Sequence, residues 1–431
     1  MVTDSLDSNE HRPPALLVDA MWYGTLAAAR DLGAHGVEVT LASDSWVAPA
    51  RWSRHVTRTV SCPSSKDAAA FVAWLLRFGA AHPGHFLYPT SDDVAWLIAA
   101  HSEALSRSFR LYTPPIESLV RLLDKGRLIE DARAVGLDVP PTSLPRNETE
   151  VEQSGRELAF PLYVKPRAQV LGRGLGKGVR VEKLAALLPS WQVQRNAANY
   201  DAEVIDRVPD LRLPLIQSCA SNMERIYSVD GFIDETGEIY ASLASLELLH
   251  RPRASSAAII IEHAETDPVI EQRLRRLFQT TGFCGVFDAE FIECGAHKQL
   301  IDINPRFYGH MAFEMDRGLH LPWLAYVAAT RDREALKAEV EKAKAAHVAR
   351  RAYVHRLPTA LLLAGQRLSG AMSGEDRFRW RRWISEYRGS ITDPAHAVDD
   401  PAPRIAEVAM EAVAFMRHPR AYLRALWWSP D

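Results

Sequence analysis

The sequence predicts an α/β (α+β) protein: a parallel-sheet domain first, antiparallel strands next, and a helical region last. Three observations carry this prediction. ALLVDA, GTLAAARDLGAHG and VEVTLAS (15–43) read as buried strand, helix closed by glycine, and second strand. Such a β-α-β unit normally builds a parallel sheet covered by helices. FPLYVKPR and GVRVEK (160–183) are strand-like runs joined by the glycine-rich stretch AQVLGRGLGK. VFDAEFIE and KQLIDINP (286–305) read as adjacent antiparallel strands joined by CGAH.

Composition narrows the function classes. At 431 residues the chain is long enough for two or three domains. Apolar residues at 47% and charged residues at 24% give the ordinary globular mix, which excludes wholesale disorder. A net formal charge of −3 argues against nucleic acid as the main partner, because phosphate backbones select for a basic excess. Cys62, Cys219, Cys284 and Cys294 are too few for a disulfide framework and lack CxxC pairing, so a reducing compartment is expected. The polar start MVTDSLDSNEHRPP has no apolar signal region, and no run approaches about 18 uninterrupted apolar residues. The expectation is a cytoplasmic protein with no membrane partner.

Further elements follow in order. Residues 1–14 read as a flexible leader ending at Pro13-Pro14. AAAFVAWLLRFGAA (68–81) and DDVAWLIAAHSEAL (92–105) read as helices around a strand in HFLYPT, which completes an α/β domain at about 15–115. A helix through ESLVRLLDKGRLIEDARAVG ends at Gly136 and gives way to the extended LDVPPTSLP. LPLIQSCA, RIYSVDGFID and EIYASLASLEL read as strands, with ETG as a turn. DPVIEQRLRRLFQTTG reads as the helix before the acidic strands, closing a second region at about 116–330. From 331 to 431 the chain reads as mostly helical. RFRWRRWISEYR and YLRALWW are read as amphipathic helices that pack Trp380, Trp383, Trp427 and Trp428 inward.

Gly172, Gly174, Gly176 and Gly178 alternate through GRGLGKG, where backbone N–H groups can approach a polyphosphate closely. A Walker A loop is excluded, since Lys177 precedes Gly178 and Leu171 stands at the first glycine position. A dinucleotide fingerprint is excluded because a strand, not a helix, follows. An ordinary glycine-rich hairpin and a phosphate-covering loop both remain. Lys165, on the strand entering the loop, favours the second, and Lys125 in LLDKGRL is a further candidate cation.

The acidic strands are the most informative stretch. Asp288 and Glu290 lie two apart and share a face, and Asp302 and Asn304 repeat this on the next strand. Like charges on one apolar hairpin cost free energy unless a cation neutralises them. Hard oxygen donors suit Mg²⁺. Glu290 and Asp302 are the expected principal ligands, Asn304 a neutral third, and Asp288 an additional candidate. Arg306 would set a fork of donors beside the metal.

With these motifs in view, the sequence resembles the ATP-grasp superfamily, in its carboxylate–amine ligase branch, over about 15–330. The resemblance rests on Asp124-Lys125 followed by AVGLDVPPT, on the lysine in FPLYVKPR, on GRGLGKG, and above all on FDAEFIE…LIDINPRF. It implies a pre-ATP-grasp domain whose YPTSDD loop (Ser91, Asp92, Asp93) faces the active site. A two-lobed ATP-grasp domain would follow, with a lid lobe at about 155–220 and a metal-binding lobe at about 221–330.

The resemblance further implies that Lys125 and Lys165 contact ATP phosphates, and that the loop from Gly172 to Gly178 covers them. Backbone groups from Gln217 through Ser218 to Cys219 would pair with adenine. Glu290, Asp302 and Asn304 would hold two Mg²⁺ ions, for which Mn²⁺ could substitute. Arg306 would stabilise the reacting carboxyl phosphate, with Arg251 and Arg253 near the transferred phosphate. Two departures stand out: Ser218 replaces the acidic residue commonly used for the ribose, and Asp302 replaces a commoner glutamate.

The implied activity joins a small-molecule carboxylate to an amine through an acyl phosphate, releasing ADP and phosphate, in an enzyme that is often a homodimer. The alternatives are a carboxylase activating bicarbonate and a catalytically silent nucleotide-binding regulator. His310, in FYGH, is either a substrate contact or a packed core histidine.

Overall fold

The computed structural model describes residues 12–174, 176–218, 225–251, 258–295, 297–346 and 350–427, the side chain of Trp427 excepted. Most of the expected leader, Cys219, Arg253 and Trp428 therefore lie outside the described residues.

The first domain holds β1 (Ala15–Leu17), β2 (Val39–Ala42), β3 (Val56–Val60), β4 (Phe86–Leu87) and β5 (Arg110–Leu111) in the order β3-β2-β1-β4-β5, all parallel. β1, β2 and β4 are wholly buried, which is why they read as unbroken apolar runs. The expected helix at 68–81 forms as Ala68–Ala81, capped by Asp67. The helix expected over 92–105 splits at His101 into Asp92–Ala100 and Ser102–Leu105. β3 carries no sequence signal, because its residues are exposed or half-buried and largely polar.

The single helix expected through 117–136 is also two, Ile116–Leu123 and Lys125–Ala134. Asp124 breaks it with an extended backbone (φ −81°, ψ 102°), and its carboxylate accepts from the Gly126 amide at 3.0 Å. The same carboxylate takes both arms of the buried Arg167 at 2.7 Å. A Cβ on residue 126 would sit 2.5 Å from that guanidinium, so the tight packing needs glycine there. The break leaves Lys125 at the start of a new helix.

The next strands are β6 (Thr142–Ser143), β7 (Leu162–Lys165), β8 (Gly172–Arg173), β9 (Val179–Val181), β10 (Asn199–Tyr200) and β11 (Leu215–Ser218). β6-β11-β7-β9 form an antiparallel sheet over Val151, Leu162, Val164, Leu187, Trp191 and Ile216. Part of the glycine stretch is itself a strand, since β8 pairs with β10.

A seven-stranded sheet follows, in the order β16-β15-β12-β13-β14-β17-β18. Its members are β12 (Ile226–Ile233), β13 (Tyr240–His250), β14 (Ala258–Ala264), β15 (Gly285–Cys294), β16 (His297–Asn304), β17 (Ala352–Val354) and β18 (Ile391–Thr392). The helix Pro268–Thr281 covers one face, burying Leu274, Leu277 and Phe278 against Val229, Phe287 and Phe291. The other face carries the polar residues discussed below.

The region after 331 contributes β17 and β18 to this sheet as well as several long helices. Trp380 and Trp383 pack on the cluster of Leu249, Ile260, Leu362 and Leu426, and the Trp383 indole donates to Glu262 at 2.8 Å. Asp400 ties the region back to the first domain. Its carboxylate accepts from Arg30 Nε at 2.8 Å, Ser53 Oγ at 2.7 Å and the Arg54 amide at 2.8 Å. No helix among the described residues is long and apolar enough to cross a membrane.

Candidate active site

Strand alternation builds the site. On the side of the large sheet away from that helix, Asp288 faces Asn304 and Asp230, while Glu290 faces Asp302 and Ser228. A register shift just after Glu290 ends this matched pairing toward the hairpin turn. The intervening residues Phe287, Ala289 and Phe291 point the other way, into the core.

Asn304 organises the carboxylates. Its Nδ2 donates to Asp288 Oδ2 at 3.0 Å and to Glu290 Oε1 at 3.1 Å. Its Oδ1 accepts from Arg306 Nη2 at 2.8 Å, and Arg306 Nε donates to Asp92 Oδ1 at 2.7 Å. Lys125 Nζ donates to Asp302 Oδ1 at 2.5 Å. The sequence expectation that Glu290, Asp302, Asn304, Arg306 and Lys125 converge is thus met in the geometry, with Asp288 among them. Asp92, from the loop implied to face the site, fixes the arginine.

The electrostatics show a surplus of negative charge. Burial pushes Asp288 well above the usual carboxylate range, and repulsion from Asp230 adds to it. Glu290 is also pushed well up, by burial first and then by Asp288, Glu247 and Asp302, with Lys125 opposing. Burial alone would lower the Arg306 pKa, but the Asp92 partner outweighs it and holds the guanidinium charged. Asp288 Oδ1 is buried with no hydrogen-bond partner among the described residues. Crowded carboxylates that repel one another, with one buried oxygen left without a donor, are what a hard divalent cation satisfies, so these residues fit Mg²⁺.

The second cation lies in the smaller antiparallel sheet. Lys165 Nζ donates to Gln217 Oε1 at 2.9 Å, and Gln217 Nε2 donates to Thr142 Oγ1 at 2.9 Å. Gly178 has φ +126°, and a Cβ there would sit 2.9 Å from Lys165 Cγ. Glycine at 178 therefore lets the returning strand pass the lysine stem. A Cβ on residue 176 would meet nothing within 4 Å, so that part of the loop stands in open space.

The loop's base is held by the first domain. Asp93 Oδ1 accepts from the Leu171 amide at 2.6 Å, Asp93 Oδ2 pairs with Lys66 Nζ at 2.7 Å, and Arg173 Nη2 donates to the Lys66 carbonyl at 2.8 Å. At the other end of the sheet, β11 is paired on both edges, and the Ser218 amide donates to the Pro141 carbonyl at 2.9 Å. The Ser218 hydroxyl is buried and has no partner among the described residues.

Arg251 requires a correction. It does not join the acidic hairpin: its two terminal nitrogens donate to Glu411 at 2.8 and 2.9 Å, and it lies 5.0 Å over the Tyr422 ring. It anchors the C-terminal helices. Arg253 and Cys219 lie outside the described residues. Sequence reasoning also misses Asp230, Glu247, Glu314 and Arg317, all buried beside the hairpin. Asp230 has a readable signal, an acidic residue in the middle of the apolar strand RIYSVDGFID.

No protein-family model matches the chain. A D-alanine–D-alanine ligase of Ectopseudomonas mendocina (strain ymp) is 34% identical over 83 residues, or 19% of this chain. That match spans about a quarter of the relative's length. A crystal structure of the biotin carboxylase–β,γ-ATP complex from Campylobacter jejuni superposes with a TM-score of 0.57 at 15% identity, covering 77% of this chain and 70% of that one. An L-amino acid ligase from Bacillus licheniformis superposes with a TM-score of 0.52 at 15% identity, covering 78% of each chain. The facing acidic strands, the glycine-rich loop behind a strand lysine and these likenesses agree: the chain has the ATP-grasp fold.

Proposed function

We propose that this protein is an ATP-dependent ligase that joins a small-molecule carboxylate to an amine, releasing ADP and phosphate. One observation carries the reading: Glu290 and Asp302 face each other in register, with Asn304 bonded to Glu290 and Lys125 and Arg306 at the margins. The set supplies charge neutralisation and positioning, which phosphoryl transfer needs more than covalent help.

A carboxylate oxygen attacks the γ-phosphorus of ATP, and the bond to the β,γ-bridging oxygen breaks to release ADP. The amine nitrogen then attacks the acyl carbon of the resulting acyl phosphate, phosphate departs, and the amine loses a proton. Lys165, steadied by Gln217, and Lys125 at its helix start offer cations to the phosphates. Glu290, Asp302 and Asn304 would hold Mg²⁺, which when bound offsets phosphate charge. Arg306, oriented by Asp92, presents donors to the oxygens of the transferring group. The glycine stretch would exclude water, which otherwise hydrolyses an acyl phosphate. Adenine contacts would fall to the end of β11, around Gln217, Ser218 and Cys219.

A carboxylase that activates bicarbonate is the second reading, favoured by the likeness to biotin carboxylase. The local match to a D-alanine–D-alanine ligase and the likeness to an L-amino acid ligase support the first. Purified protein with MgATP, screened with acids against amines by ADP release and product mass, separates them. ADP release that requires both an acid and an amine supports the ligase. Release with bicarbonate alone supports the carboxylase, and no release under any pairing supports a silent nucleotide-binding protein.

A further inference from the structure

Beside the hairpin lies a second cluster that the proposed chemistry does not use. Asp230 sits on β12, one strand further in than Glu290, while His310 and Glu314 come from the segment after β16. His310 lies in the turn before the short helix Ala312–Asp316 and Glu314 lies within that helix. Each of the three offers a ligand atom, and those atoms lie within 4.8 Å of one another. Asp230 and Glu314 have no solvent exposure and His310 has 8%.

The second observation concerns hydrogen bonding. Asp230 Oδ1, His310 Nε2 and Glu314 Oε1 are all buried without a hydrogen-bond partner among the described residues. His310 Nε2 approaches the other Asp230 oxygen, Oδ2, at 3.5 Å, an ion-pair separation rather than a hydrogen bond. An unsatisfied buried polar atom is destabilising, so three in one place call for an explanation. The far side of Glu314 is anchored, since Tyr308 donates its hydroxyl to Oε2 at 3.0 Å. The carboxylate is therefore held with its free oxygen toward the cluster.

Charge points the same way. Asp230, Glu247, Asp288, Glu290 and Glu314 meet here, and the basic groups facing them are Arg317, the imidazoles of His310 and His250 and, on the hairpin side, Lys125 and Arg306. The Arg317 guanidinium is partly committed elsewhere, donating from Nη1 to the Ala244 carbonyl at 2.9 Å. Burial and neighbouring carboxylates raise both Asp230 and Glu314 to about 8. Burial would lower the His310 pKa, but the surrounding carboxylates outweigh it and keep the ring protonated longer.

We propose that Asp230, His310 and Glu314 form a binding site for a divalent transition-metal ion, zinc or manganese, separate from the nucleotide-linked positions at Glu290, Asp302 and Asn304. Imidazole with two carboxylates is a donor set suited to such ions, whereas magnesium favours oxygen donors alone. Asp230 is two strands across and one residue pair along from Asp302, about 12 Å at ordinary strand spacing, with Asp288 between them. The ion gives the three orphaned atoms a common partner.

The test uses the full chain, stripped with chelator and free of nucleotide. Zn²⁺ or Mn²⁺ is titrated by calorimetry, and metal content is measured after gel filtration. The site predicts about one tightly held ion per chain. Glu314→Gln and His310→Gln should each weaken binding at least about 100-fold, more than loss of a supporting hydrogen bond costs. Glu290→Gln should leave this binding intact. Circular dichroism checks the fold, and either ligand variant suffices if the other does not fold. No nucleotide-free binding, or binding lost in Glu290→Gln yet kept in the Glu314 and His310 variants, overturns the proposal. Because turnover is not measured, failure here is distinct from failure of the ligase reading.

Discussion

Lys125 and Asp302, 177 positions apart in the chain, meet in a 2.5 Å ammonium–carboxylate contact. The contact depends on the helix break at Asp124, which restarts the chain with Lys125 directed at the hairpin. Arg167, entering from the smaller sheet, locks that break by gripping Asp124 with both arms. One buried carboxylate thus links Arg167, just beyond β7, to the helix start and, through Lys125, to the acidic hairpin.

Removing either facing carboxylate should separate activity from stability. Glu290→Ala and Asp302→Ala are expected to abolish ADP release while far-ultraviolet circular dichroism stays unchanged. Glu290→Gln should melt at or above the wild-type temperature without metal, because it removes a charge that burial and neighbours disfavour. Full turnover in either alanine variant contradicts the metal assignment.

Lys165 should act mainly on nucleotide binding. Lys165→Ala is expected to raise the KM for ATP about 10- to 100-fold, in line with loss of one hydrogen bond to a charged group. Gln217→Ala should produce a smaller change in the same direction, since Gln217 steadies the ammonium from beside it. Steady-state kinetics at saturating acid and amine distinguish this from an effect on kcat.

The fork of Arg306 should matter more than its charge. Arg306→Lys keeps the charge but loses the planar fork whose Nε and Nη2 donate in fixed directions to Asp92 and Asn304. Turnover is expected to fall about 100-fold or more. Asp92→Asn should give a milder loss with the same KM for ATP, because the arginine is present but less firmly aimed.

Asp400 tests how the C-terminal region is fastened. Its carboxylate is buried among Arg30, Ser53 and the Arg54 amide, and Asp400→Ala should cost about 3 kcal/mol in denaturant unfolding. Burial would raise its pKa, but those donors together outweigh it and hold the carboxyl below its ordinary value of 3.8. A depressed carboxyl stabilises above its unfolded value and loses that contribution as pH falls through the folded one. The gap between wild type and Asp400→Ala should therefore be widest near neutral pH and shrink below about pH 4.

The parts of the molecule that are legible from sequence are those whose geometry is local. Period-two alternation puts Asp288 with Glu290 and Asp302 with Asn304 on shared faces, and the structure pairs them in register. The buried strand Ala15–Leu17 and the capped helix Ala68–Ala81 are equally readable. The break at Asp124 is masked because apolar periodicity runs across it from Ile116 to Ala132. Its cause, Arg167, lies 43 residues away. Arg251 escapes a sequence reading for the same reason, since its partner Glu411 is 160 residues downstream. Asp93 holding the Leu171 amide across 78 residues is a third such contact. Only the folded chain shows these.

The most direct test of the metal-and-nucleotide assignment is a crystal grown with Mn²⁺ and a non-hydrolysable ATP analogue, read by anomalous scattering. Metal peaks should touch the Glu290 and Asp302 carboxylates and bridge to the triphosphate, with residues 172–178 over the phosphates. A triphosphate bound elsewhere, or no peak at those two carboxylates, would contradict the assignment.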